Sequence, residues 1–166
     1  GTSSFSSGGR VWLMSGYGTI STSGSVLVAT ANAGNTGVSG LLVLSTGTAS
    51  RGTSGTISIG SGVSVSGNSG GLYVGSGSAT SGRAGSVYVV VGSGDSGNGG
   101  ELVLSSGTSS FSSGGRVKIL SGYGSISTSG SVLVATANAG GSGVSGLLVL
   151  STGTASKGNS GDIMIG

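Results

Sequence analysis

Gly24-Ser25-Val26-Leu27-Val28 is the stretch on which the reading of this chain turns: a glycine, then an alternating run with aliphatic residues in its third and fifth places. The pattern occurs eleven times, with its paired aliphatics at Val11/Leu13, Val26/Val28, Leu42/Leu44, Ile57/Ile59, Leu72/Val74, Val87/Val89, Leu102/Leu104, Val117/Ile119, Val132/Val134, Leu148/Leu150 and Ile163/Ile165. Neighbouring pairs are 15 residues apart, except for a step of 16 from Val26 to Leu42 and from Val132 to Leu148. Alternation places the two aliphatic side chains of a strand on one face. A fixed period of this length predicts a solenoid, in which a repeat that cannot bury its apolar face alone buries it against its neighbours.

Working outward from the run, the expected fold class is all-β, a β-solenoid of eleven 15-residue coils (two of them 16), with two short strands per coil. After the first strand comes a Ser/Thr-Gly step, as at Ser15-Gly16, Thr46-Gly47, Ser61-Gly62, Ser76-Gly77, Ser106-Gly107, Ser121-Gly122 and Thr152-Gly153. Its glycine is expected to supply the positive φ of a tight corner. A weaker return strand follows, as at residues 17–21 or 63–65, and a Gly/Ser-rich corner leads into the next coil. The tenth place is always small: Gly18, Ala33, Ala49, Ser64, Ala79, Gly94, Ser109, Gly124, Ala139 and Ala155. It reads as an inward position facing the aliphatic pair across a narrow interior. The two extra residues fall in 31–37 and 137–143, where the longer coils are expected to bulge at the same corner.

A longer repeat overlies the short one. Residues 1–60 match residues 107–166 at 50 of 60 places, an offset of 106 residues or seven coils. Leu13 against Ile119 is a mild exchange at an inward place, whereas Trp12 against Lys118, Thr56 against Asp162 and Ser58 against Met164 are drastic exchanges at outward ones. Residues 2–8 recur as 108–114, so the chain reads as starting within one coil and stopping after the first strand of another. Residues 1–166 are accordingly expected to be one continuous solenoid segment of a longer array.

Composition narrows the chemistry. Forty glycines with abundant serine and threonine would suit a flexible linker, but fixed-phase aliphatics and a charged fraction of only 5% do not suit disorder. With no cysteine and no histidine, disulfides, thiolate metal sites and the commonest general base are excluded. The acidic residues Asp95, Glu101 and Asp162 stand at different places of different coils, which gives no carboxylate pair for catalysis and no aspartate column for calcium. No enzyme activity and no cofactor is expected. Glu101 and Arg116 share one outward place on successive coils and would form a ladder ion pair if the coils stacked. The net charge of +3 rests on scattered residues without a basic stripe, against nucleic-acid binding. No run approaches the length of a membrane span.

Two surfaces remain as candidates. The fourth place of each coil should face outward, yet it carries Trp12, Leu27, Val43, Tyr73, Tyr88, Val103, Leu133, Val149 and Met164, interrupted by Ser58 and Lys118. An apolar stripe of this extent marks a lateral contact surface, for another solenoid or further sequence of the same chain; the plainer alternative is that β-rich surfaces favour such residues. The return strand would present Thr48, Ser50, Ser78, Thr80, Thr108, Ser110, Thr154 and Ser156 as a hydroxyl face. That face points to ice or carbohydrate binding, or to O-linked glycans, although Tyr17, Asn32, Val63, Tyr123 and Asn138 break its rows.

The Gly-x-Val-x-Leu-x-Ser-Gly rhythm resembles the Gly/Ser-rich repeat regions of secreted β-solenoid proteins, which include extracellular fibres, adhesin stalks and surface-layer components. The resemblance implies an extracellular or cell-surface location and a structural role, self-associating end to end or laterally. No functional residue carries over from it.

Overall fold

The computed structural model describes residues 1–4 and 7–166; Phe5 and Ser6, in the middle of the half coil read at residues 2–8, lie outside the described residues. The chain divides into two units, Gly1–Ser86 and Val87–Gly166. Among the described residues neither unit contains a helix or a strand. The expected all-β, β-solenoid (β-helix) architecture with two strands per coil is therefore corrected. A solenoid needs each aliphatic pair to lie on the pair one repeat away, with backbone ladders between coils. Instead, approaches between residues distant in sequence are sparse, and no described residue is buried. The physical reason is local. Each repeat offers only a small aliphatic face against the ordering of a glycine-rich backbone, and its closures form within the repeat.

In the first unit the Gly24 N–H donates to the Gly16 carbonyl at 2.9 Å, and the Gly9 N–H to the Gly1 carbonyl at 3.3 Å. Further on, a side chain makes the closure: Thr30 Oγ1 donates to the Gly40 carbonyl at 3.2 Å and Thr46 Oγ1 to the Gly55 carbonyl at 3.3 Å. The second unit uses both devices at one place, where the Gly115 N–H donates to the Gly107 carbonyl at 2.8 Å and Ser106 Oγ donates to the Gly115 carbonyl at 2.9 Å. The Gly130 N–H closes on the Gly122 carbonyl at 2.9 Å. Each repeat is thus an unbent run followed by a loop whose two feet meet, one foot at the Ser/Thr-Gly step and the other at the glycine that starts the next run. That starting glycine lies against the side chain of the opposite foot: a Cβ on Gly55 would be 3.2 Å from Thr46 Cγ2, and one on Gly85 3.4 Å from Ser76 Cβ.

Between the feet the chain bends at residues 19–21, 50–52, 65–67, 80–82, 95–98, 110–112, 125–127 and 156–158. The positive φ expected at the Ser/Thr-Gly step is found here instead, at Gly52 (φ +102°) and at its counterpart 106 residues on, Gly158 (φ +116°). The step needs no such conformation because the reversal is distributed over the whole loop. Gly52→Ala is therefore expected to destabilise its loop by about 1 kcal/mol. Gly47→Ala, with nothing within 4 Å of the added carbon, is expected to leave it unchanged. Chemical shifts and amide exchange across residues 46–55 distinguish the two outcomes.

The longer repeats take up their extra residue in a tight turn. The Gly37 N–H donates to the Gly34 carbonyl at 3.4 Å, and the Gly143 N–H to the Gly140 carbonyl at 3.2 Å. Both turns fall in the stretches, 31–37 and 137–143, where the sequence places the insertion. With no sheet present the insertion is a turn and not a bulge. Equivalent sequences in the two units thus adopt equivalent local geometry.

Candidate functional surface

No cavity opens among the described residues, and no group of three or more His, Cys, Asp or Glu among them could hold a metal. No helix of the described residues is long and apolar enough to cross a membrane. The expected ladder ion pair between Glu101 and Arg116 does not form. What the chain presents is a repeated surface.

Alternation leaves a measurable trace on that surface. Val26 is 52% exposed and the intervening Leu27 88%; their counterparts Val132 and Leu133 are 53% and 88% exposed. In these two repeats the first place read as inward is the better shielded one, whereas in the first repeat the order is reversed, with Val11 95% and Trp12 68% exposed. Trp12, Val43, Tyr73, Tyr88, Val103, Val149 and Met164 are exposed as well. Apolar surface therefore lies on both faces of each run, where the sequence suggests it on one. Two of these aromatic residues are held by their own run: the Arg10 guanidinium lies 5.9 Å from the Trp12 ring centroid, a cation–π contact, and the Tyr73 ring lies over Gly71, where a Cβ would be 3.2 Å from Cε2.

At two of the tenth places the residue is small for a different reason from facing an aliphatic pair. At Gly18 an added Cβ would lie 2.6 Å from both the Ser21 and Thr22 carbonyl oxygens, and at Gly124 the same distance from those of Ser127 and Thr128. The close neighbour is the loop's own backbone. At Ser109 the side chain serves the bend directly, its Oγ accepting from the Ser112 N–H at 3.0 Å and the Phe111 N–H at 3.4 Å. These are ordinary hydroxyl-turn contacts.

Thr48, Ser50, Ser78, Thr80, Thr108, Ser110, Thr154 and Ser156 are all exposed. The hydroxyls that close the loop feet are others, Thr30, Thr46 and Ser106. A sequence signal for them exists: the seventh place of each repeat is Ser or Thr throughout, except for Val91. Read as the polar side of a corner, it conceals a donor. Neither a protein-family model, nor a curated protein, nor a solved structure matches the chain.

Proposed function

We propose that this chain is a structural, self-associating protein of the extracellular space or cell surface, whose repeats cover their aliphatic runs against other copies. One observation carries the reading: the paired aliphatic residues of every repeat are at least half exposed, from Leu148 at 50% to Val11 at 95%. Apolar surface recurring at this spacing on a chain with so few charges favours association over solubility as a monomer. The nine residues from Trp12 to Met164 extend that surface to the opposite side of the runs. The lateral mode draws support from these side chains, whereas end-to-end stacking depended on solenoid ends. The hydroxyl reading, for ice or carbohydrate, has no observation of its own in its favour, because its flat face rested on stacked coils.

Sedimentation velocity over a concentration series tests the proposal. The expected result is a mass rising with concentration, strengthened by sulfate, which favours apolar burial, and little affected by sodium chloride. Sedimentation as a 15.3 kDa monomer at every concentration would falsify it.

A further inference from the structure

Three loops carry asparagine in the fourteenth place of the repeat, at or just past the bend: Asn68, Asn98 and Asn159. Two of them are followed by serine, Ser69 and Ser160, whereas Asn98 is followed by Gly99. An asparagine side-chain amide lies within reach of the next residue's backbone nitrogen, and closure of the five-membered ring between them is hindered chiefly by a side chain on that next residue. Gly99 has none, and its backbone turns freely. The space where its Cβ would stand has nothing within 4 Å, and both residues are exposed. Among the described residues neither the Asn98 side-chain amide nor the Gly99 N–H makes a hydrogen bond. The foot of this loop is also without a hydroxyl. Thr46 and Ser106 each close their loop on a glycine carbonyl nine residues on, but the same place before this loop is Val91, which has no proton to donate to the Gly100 carbonyl.

We infer that Asn98-Gly99 is a self-modification site, at which the chain converts its own asparagine to aspartate and isoaspartate through a cyclic imide. The Gly99 nitrogen gives up its proton to solvent and attacks Asn98 Cγ. The new N–Cγ bond forms as the Cγ–Nδ2 bond breaks, and Nδ2 leaves as ammonia after taking up a proton. Water then opens the ring. Attack at Cγ restores the original backbone and leaves an aspartate side chain; attack at the backbone carbonyl carbon routes the chain through Cγ and leaves isoaspartate, with one more carbon in the main chain. No oxidant, metal or second protein takes part. Either product adds one negative charge, taking the net charge from +3 to +2. The new carboxylate stands three residues after Asp95 and three before Glu101, so the change gathers like charges in a loop whose foot lacks a hydroxyl donor.

The full chain carries its own controls. Trypsin, cutting after Arg51, Arg83, Arg116 and Lys157, places Asn68, Asn98 and Asn159 in separate peptides, each with a single asparagine. After incubation in mildly alkaline buffer, mass spectrometry of these peptides reads the gain of about 1 Da that marks the change, and an isoaspartyl methyltransferase labels the isoaspartate. Conversion at Asn98 is expected to run about tenfold faster than at Asn68 or Asn159, and G99S is expected to bring it down to their rate. V91T, which returns a donor to the foot while leaving Asn98-Gly99 intact, is expected to slow conversion severalfold. Equal rates at the three asparagines of the unaltered chain, or conversion at Asn98 without any isoaspartate, would overturn the site. Unchanged conversion in V91T would overturn the part assigned to the missing hydroxyl.

Discussion

Heated in solution dilute enough to disfavour association, the chain is expected to show no cooperative heat-absorption peak. A globular domain of 166 residues would absorb about 115 kcal/mol near 60 °C, because unfolding uncovers buried apolar surface and breaks packed contacts. Here no described residue is buried, so no such reservoir exists. The heat capacity should rise smoothly with temperature, and denaturant should act with a slope close to zero, since the slope follows the surface newly exposed. At concentrations that drive association a transition should appear, with a midpoint that climbs with concentration, because burial then occurs between copies. A large, concentration-independent peak in dilute samples would show that aliphatic columns such as Val26, Leu42 and Ile57 are covered within a single chain.

Replacing Gly18 or Gly124 with valine is expected to open the loop around it. The added carbon would stand 2.6 Å from two backbone carbonyl oxygens at either site, and backbone oxygens cannot move aside as a flexible side chain can. Relief requires residues 19–22 or 125–128 to swing away, which pulls on the Gly24–Gly16 and Gly130–Gly122 hydrogen bonds. A foot bond of this kind is worth about 1 kcal/mol net, less than the overlap it would have to resist. The Gly24 and Gly130 amides should lose their protection in the respective variants, by tenfold or roughly so. Gly16→Ala is the control, since an added carbon there has nothing within 4 Å. Unchanged protection of the Gly24 amide in Gly18→Val would show that the loop closes by another geometry.

The period was fully legible in the sequence, and so was the place where it slips: Asn35-Thr36 and Gly141-Ser142 form the turns that absorb the extra residues. The alternation of Val26 and Leu27 was legible too, and it survives as a difference in exposure. What alternation cannot state is whether anything covers the better-shielded side. That depends on residues a full repeat away, whereas Gly24 meets Gly16 only eight residues back along the chain, at a loop-entropy cost lower by about 0.5 kcal/mol. Glycine at the start of each run read as a corner and proved to be a foot. The hydroxyl column of Thr30, Thr46 and Ser106 was visible throughout, but its donors close loops on carbonyls, a role that their polarity alone does not distinguish from facing solvent.

The closed loops also bear on what happens when the chain is pulled. Gly16 O and Gly24 N are 2.9 Å apart, yet the seven residues between them would reach about 24 Å if drawn straight. Such loops are therefore slack held by one or two weak clasps, and tension would release them one clasp at a time, lengthening the chain without tearing anything buried. Loops of this size re-close in about 10–100 ns once the load is removed. An assembly joined through its aliphatic runs would yield and recoil through its loops, with adhesion and extensibility assigned to alternating segments of the same repeat.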